Sequence, residues 1–238
     1  MILSKENIDQ FEIWLSKVYN NGGAILFDKP KDWTSFDVVN KLKKILGIKK
    51  IGHTGTLDPF ASGLLILLLN KFTKKQQEFT NLDKTYLATI KLGATTKTFD
   101  PSSEEENIQS VEDITKSEIE SVLHSFVGDY EQIPPMYSAK KISGQRLYKL
   151  ARKNLEVTLK PIIVKIYSID IRSIELPFVE FVVRCSKGTY IRSLANDIGK
   201  KIGVGAYLYE LRRTQIGNFS VNNAFTIQDF LNELNKVT

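Results

Sequence analysis

Apolar residues recur along this chain with two periods, and the switches between them divide it into elements. Ile8, Phe11, Trp14, Leu15 and Val18 fall at helical spacing, which predicts an amphipathic helix over Ser4 to Tyr19, ended by Gly22-Gly23. Ala24 to Phe27 is a short continuous apolar run, as in a buried strand. A stiff Asp28-Lys29-Pro30 turn follows, and Thr34-Ser35-Phe36-Asp37 then has the spacing of a capping box opening a helix through Leu46. Gly52 to Pro59 is rich in turn formers, whereas Leu64 to Leu69 is apolar at every position, as a strand covered on both faces would be. Tyr86 to Leu92 alternates as a strand. Thr115 to Val127 returns to the helical period, with Ile119, Val122, Leu123 and Phe126 inward and Gly128 as a stop.

Ile133-Pro134-Pro135 breaks the chain ahead of a basic helix expected near Gln145 to Lys153. Ile162 to Leu176 and Phe178 to Cys185 alternate as two long strands joined near Pro177, which predicts a hairpin. Tyr190 to Ile202 places Ile191, Leu194, Ala195 and Ile198 on one helical face, Tyr207 to Leu211 reads as a short helix, and Thr226 to Leu234 as a capped final helix. There is no internal repeat and no low-complexity linker. Strands and helices mix without regular βαβ alternation, so the expected class is α/β of the α+β type: a mixed, largely antiparallel sheet flanked by helices. Residues 1–21 read as an N-terminal helical extension and 22–238 as one domain.

Composition narrows the chemistry. The 238 residues are 42% hydrophobic, ordinary for a globular protein. The single cysteine, Cys185, leaves no internal disulfide, and with only His53 and His124 beside it there is no Cys/His zinc cluster; a carboxylate-bound Mg²⁺ stays open but no metal or cofactor is signalled. No apolar run reaches a membrane span, and Ser4-Lys5-Glu6-Asn7 is too polar for a signal peptide; the cytoplasm is the expected compartment. Net charge is +6, unevenly spread: Lys140 to Arg213 holds sixteen Lys/Arg against six Asp/Glu, whereas Asp100 to Glu131 holds ten acids against Lys116 alone. A solvated basic surface explains such a block without a partner, and a nucleic acid explains it with one.

The chain lacks a phosphate-binding loop ending in Gly-Lys-Ser/Thr, a GxGxxG after a strand, and a GxSxG elbow, which removes nucleotide hydrolysis, dinucleotide redox and serine-hydrolase chemistry as leading readings. What stands out is GHTGTLDP at Gly52 to Pro59, where glycines permit tight turns and Pro59 stiffens the exit from Asp58. Alone, an Asp before a proline is more often a turn former than a catalyst. Its context differs. GHTGTLDPxAxG at Gly52 to Gly63 resembles the catalytic motif of the TruB family of tRNA uridine-55 pseudouridine synthases. Further matches follow in the family's order: DKPxxxTS at Asp28 to Ser35, KTYxAxxxLGxxTxT from Lys84 to Thr98, QIPPMYSAKK at Gln132 to Lys141, CSKGTYIRSLANDIG at Cys185 to Gly199, and LRRTxIG at Leu211 to Gly217.

The resemblance implies a pseudouridine-synthase fold, with Asp58 as the catalytic carboxylate and Arg192 as the cation that pairs with it and keeps it ionised. It implies that Tyr86 is catalytic, stacking on the target uracil and placed to take the C5 proton, that Tyr190 helps seat the nucleotide, that Leu211 closes the apolar wall, and that His53 fills the space left when the base is flipped out. Lys29 and Pro30 would brace the pocket. The implied partner is tRNA, through its T-arm stem-loop, with a monomeric protein and no obligatory protein partner.

The sequence departs from the family pattern at Asp32, where a glycine is usual, at Asn70 and Phe72, and at Lys97, Phe99 and Ser102 to Glu104. It also stops soon after Leu234, which leads to the expectation of no C-terminal PUA domain and of a heavier RNA-gripping load on Lys140 to Lys153 and Arg212-Arg213. Two other readings stand beside the first: a related RNA-binding module that folds tRNA without modifying it, and an isomerase directed at ribosomal RNA.

Overall fold

The computed structural model describes residues 1–137, 141–142, 145–147 and 159–237. In chain order its elements begin with β1 (Ile2–Leu3), α1 (Phe11–Asn21), β2 (Gly23–Lys29), α2 (Ser35–Leu46), β3 (Ile51–His53), β4 (Ser62–Leu69) and α3 (Gln76–Thr80). Next come β5 (Lys84–Leu92), the short strands β6 (Thr95–Thr96) and β7 (Glu105–Glu106), α4 (Lys116–His124), β8 (Gly128–Gln132), β9 (Lys141–Ile142) and β10 (Gln145–Arg146). The chain ends with β11 (Ile162–Glu175), β12 (Phe178–Cys185), α5 (Ile191–Ile202), β13 (Ala206–Ile216), β14 (Phe219–Ser220) and α6 (Ile227–Val237). Two compact units result: Met1–Thr85 with Arg212–Thr238, and Tyr86–Leu211, so the boundaries fall inside β5 and β13.

In the first unit β4 pairs antiparallel with β2 (Gly23 opposite Leu69 through Lys29 opposite Gly63) and with β3, and parallel with β13 at Ser62 and Gly63. Leu65, Leu67 and Leu69 enter one apolar cluster and Leu64, Ile66 and Leu68 another, so both faces are covered and every residue from Leu64 to Leu69 is apolar and buried. One face of this sheet is covered by α1, α2 and α6. Phe230 of α6 stands 5.4 Å from Phe11, 6.5 Å from Trp14 and 5.7 Å from Phe27 between ring centroids, and the Trp14 indole N–H donates to the Ala24 carbonyl at 3.1 Å. The first 21 residues are therefore not set apart as an extension; they complete a core shared with the last helix. The predicted helix over Ser4 to Tyr19 is interrupted, because Asn7 leaves helical geometry (φ −124°, ψ 38°) and its amide side chain bonds back to the Ser4 and Ile2 backbone. The α-helix proper starts at Phe11.

Helix α2 begins where its capping box lies: the Thr34 hydroxyl accepts from the Asp37 N–H at 3.0 Å while Asp37 accepts from the Thr34 N–H at 2.8 Å. Thr226 and Asp229 repeat the arrangement at α6.

The second unit carries strands in the order β13, β5, β12, β11, β8. β11 and β12 form the long antiparallel hairpin expected across Pro177, and β8 pairs antiparallel with the first part of β11. Helix α4 packs on α5 and on β11, with Ile119, Leu123, Leu194 and Ile198 fully buried. Gly199 lies in α5, where a Cβ would stand 2.0 Å from the Ala206 nitrogen.

One expectation fails here and the start of another shifts. Tyr207 to Leu211 is part of strand β13 rather than a helix; an apolar stretch of five residues carries too few periods to distinguish the two, and strand pairing decides. Gln145 and Arg146, expected to open a basic helix, pair with Ile142 and Lys141 as strands. Leu147 is helical, and the rest of that predicted helix, 148–153, lies outside the described residues.

The motif's glycines separate by this geometry. A Cβ at Gly63 (φ +108°) would stand 2.3 Å from the Arg213 carbonyl oxygen, whereas one at Gly52 meets nothing within 4 Å. Gly63→Ala should cost about 2–5 kcal/mol, from strain plus overpacking, and Gly52→Ala should leave stability unchanged or raise it by up to about 1 kcal/mol. Urea denaturation of both variants checks this; equal midpoints would refute it.

Candidate active site

Asp58 lies half-buried on the loop between β3 and β4, and side chains from three other elements hold that loop by its backbone. The Ser35 hydroxyl, in the first residue of α2, accepts from the Leu57 N–H at 2.9 Å and lies 3.3 Å from the Leu57 carbonyl, to which it donates. Lys29, fully buried at the end of β2, donates from Nζ to the carbonyls of Trp33 (2.6 Å), Pro30 (2.8 Å) and Pro59 (3.3 Å). Arg213 in β13 donates from Nε to the Leu64 carbonyl (2.7 Å) and from Nη2 to that of Gly55 (3.1 Å). The Asp32 N–H adds a second bond to Pro59 at 2.8 Å, and the Ala61 N–H closes the turn onto the Asp58 carbonyl at 3.1 Å. Gly55, Leu57 and Pro59 are thus each pinned, and Asp58 sits among fixed points.

Burial pushes the Lys29 ammonium down to about 8, against the opposing pull of the Asp32 and Asp58 carboxylates and with added repulsion from Arg213. His53, at the end of β3, is also pushed down from its ordinary value by burial and then by Arg213, so its imidazole is neutral at pH 7. Its Nδ1 has no hydrogen-bond partner among the described residues. Arg213, expected on an RNA-gripping surface with Arg212, is only 2% exposed and is spent on the two carbonyls above. Arg212 forms a bidentate pair with Asp28, at 3.0 and 2.7 Å.

In the second unit, Tyr190 caps α5, and the buried Gln132 side chain clamps it at both backbone groups: Oε1 accepts from the Tyr190 N–H at 2.8 Å and Nε2 donates to its carbonyl at 3.0 Å. The Ser193 hydroxyl ties the same turn to the Ile133 carbonyl at 2.8 Å. Arg192, 6% exposed, donates to the Asp100 carboxylate (2.9 Å) and to the carbonyls of Thr98 (3.1 Å) and Tyr137 (2.7 Å). Asp100 in turn accepts from the Thr98 hydroxyl at 2.6 Å and the Ser102 N–H at 2.9 Å, so both charges of this buried pair keep further hydrogen bonds. Tyr86 on β5 and Leu211 on β13 are buried in this unit.

The candidate residues therefore divide, with Lys29, Pro30, His53 and Asp58 in the first unit and Tyr86, Tyr190, Arg192 and Leu211 in the second. Sequence reading missed Ser35, Gln132 and Asp100, whose work is to orient others. Ser35 and Gln132 lie inside the stretches DKPxxxTS and QIPPMYSAKK, the one signal that could have found them. Among the described residues no three His, Cys, Asp or Glu side chains gather as metal ligands, and no helix is long and apolar enough to cross a membrane.

Solved structures with this fold include a Cbf5-Nop10-Gar1 complex, with TM-score 0.70 and 32% identity over 95% of this chain and 57% of that one. Another is an H/ACA RNP bound to a substrate RNA containing 2'-deoxyuridine, with TM-score 0.64 and 33% identity over 87% of this chain and 51% of that one. The chain thus spans little more than half of those solved chains. Residues 43–191 match the TruB family pseudouridylate synthase N-terminal domain, and 192–237 the tRNA pseudouridylate synthase B C-terminal domain. Similar proteins named tRNA pseudouridine synthase B occur in Clostridium tetani (49% identical over 90% of this chain and 73% of the relative) and Chloroherpeton thalassium (45%, covering 93% and 94%). A third, from Aquifex aeolicus, is 45% identical over 90% of this chain and 75% of the relative. Fold and relatives together define an RNA pseudouridine synthase, an isomerase that modifies tRNA. The chain belongs to the TruB family of pseudouridylate synthases.

The depressed Lys29 ammonium has a pH signature. Between pH 8 and 10.5 the unfolded chain holds a proton on Lys29 that the folded chain has released, so raising the pH through this window favours folding. The stability of the wild type relative to Lys29→Met should rise from pH 8 to 10.5 and be flat from pH 6 to 7, measured by urea denaturation in matched buffers; a difference that falls with pH would contradict the assignment.

Proposed function

We propose that this enzyme isomerises uridine-55 in the T-arm loop of tRNA, with Asp58 as the catalytic carboxylate. The observation that carries the reading is the backbone frame around Asp58: a loop carboxylate pinned through the preceding residue by Ser35 and through the following one by Lys29. Such investment suits a group that must meet a reacting atom within a fraction of an ångström. Pseudouridylation breaks the C1′–N1 bond, turns the uracil, joins C1′ to C5, and moves the C5 proton to solvent while N1 gains one. The atoms balance within one nucleotide, so one ionised carboxylate at the sugar or base, proton transfer and exclusion of water suffice.

In this reading Arg192 keeps Asp58 ionised, and Asp100 fixes the direction of that guanidinium. Tyr86 supplies a stacking face for the flipped uracil, Tyr190 seats the nucleotide, and Leu211 completes the apolar wall. Flipping costs a few kcal/mol and base–aromatic stacking returns about 1–3 kcal/mol per base. A neutral His53 fits a ring that must occupy the vacated place in the RNA, since burying an imidazolium between bases carries a desolvation cost that the neutral form avoids. The protein acts in the cytoplasm as a monomer, without cofactor.

Asp58→Asn should abolish pseudouridine formation, by more than about a thousandfold in kcat, while leaving the unfolding midpoint and tRNA affinity near wild type. Pseudouridine mapping of tRNA after incubation with each protein reads both the loss and the modified position; activity near wild type, or modification elsewhere, would sink the assignment. Chelator-treated protein should retain full activity, and restoration of a lost rate by one added metal would show that a metal site exists.

A further inference from the structure

The first unit holds a groove of about 720 Å³ that includes neither Asp58 nor His53. It opens between the end of β2, helix α2 and the start of α6. Cations dominate its polar lining: Lys29, Lys31, Lys41 and Arg212, against the single carboxylate Asp28, which is engaged by the bidentate contact from Arg212. The charge extends into the surrounding sequence. From Asp28 to Lys50 the chain carries seven lysines and three aspartates. Of those three, Asp28 serves Arg212 and Asp37 serves the cap of α2. The apolar wall combines the half-buried indole of Trp33 with Leu231 of α6.

A flat indole beside exposed lysines is the equipment for one nucleotide unit, with a base face against the ring and phosphate oxygens against the ammonium groups. An acidic peptide would use the cations and leave the indole idle, and an apolar segment would strand the lysines. We propose that this groove is a second RNA-binding subsite, taking a nucleotide of the substrate RNA other than the target uridine. Lys31 and Lys41 hold its phosphate, and Trp33 with Leu231 takes the base. The inference rests on the reading of the chain as a tRNA-modifying enzyme and adds to it a contact outside the motif that carries Asp58.

Hydroxyl-radical footprinting of the full chain with and without unmodified tRNA, read by mass spectrometry, tests it directly. Trp14, 1% exposed in the core, is the internal reference for Trp33. Saturating tRNA should slow oxidation of Trp33 at least threefold and leave Trp14 unchanged. In parallel, Lys31→Gln/Lys41→Gln should bind tRNA with a log–log salt slope shallower by about 1.4, at about 0.7 for each phosphate that the variant no longer neutralises, while its single-turnover rate at saturating tRNA stays within twofold of wild type. Trp33 oxidation unaffected by tRNA, or a salt slope within about 0.5 of wild type, would overturn the subsite. Either result with an enzyme that still forms pseudouridine leaves the proposed function standing; a wild type that forms none would count against that function itself.

Discussion

The loop that carries Asp58 belongs to no strand, so its own peptide groups must find partners outside a sheet ladder. In this protein the need is met by two buried cations and one hydroxyl: Lys29 on Pro59, Arg213 on Gly55, Ser35 on Leu57. Each comes from a different element, the end of β2, strand β13 and the first turn of α2. β2 and α2 are packed on the core built around Trp14, Phe27 and Phe230, and β13 puts Ile216 into the second apolar cluster of this unit. The position of Asp58 is thereby slaved to the hydrophobic core of the first unit, and a loosened core would be felt at the loop before the fold is lost.

Cations are a costly choice for such a role. Taking an ammonium from water penalises the charged form, which is why Lys29 is pushed down to about 8. Carbonyl oxygens offset part of that cost, three for Lys29 and two for Arg213, and a neutral donor could not reach as many from one position. The Asp58 and Asp32 carboxylates return some of the remainder by attraction. Electrostatics and geometry point the same way. Lys29, one of the cations that fix the loop, is also attracted to the carboxylate it carries.

Much of this frame was legible before the structure. Capping boxes at Thr34 and Thr226, the two-sided strand Leu64 to Leu69 and the hairpin across Pro177 rest on local rules, and they appear where the sequence places them. The failures share a cause: in each, tertiary context outweighs a local pattern. Tyr207 to Leu211 is too short to declare its period, and its neighbours in the sheet decide. Arg212-Arg213 reads as surface charge, yet one is buried on carbonyls and the other paired with Asp28, because partners far away in sequence are invisible to a local count. Asp100 hid within an acidic run whose other members are mostly solvated. Asp58 and Arg192 could be singled out by motif, whereas Asp100, Ser35 and Gln132 act on backbone or on another side chain and have no composition of their own.

The departures from the family pattern carry a last lesson about compensation. Asp32 and Asn70 both stand where small residues are usual, and both adopt left-handed backbone, with φ of +65° and +51°. That conformation costs most L-residues roughly 1–2 kcal/mol, and Asp and Asn tolerate it better than the rest. Each also gains what glycine could not give. The Asn70 amide donates to the carbonyls of Val18 and Tyr19, closing the last turn of α1. The Asp32 carboxylate attracts the buried Lys29 ammonium, while its N–H holds Pro59. A glycine would relieve the backbone and forfeit the side-chain interaction. The two positions therefore exchange local strain for ties to the same elements, α1 and the Asp58 loop, that the first unit must hold in register.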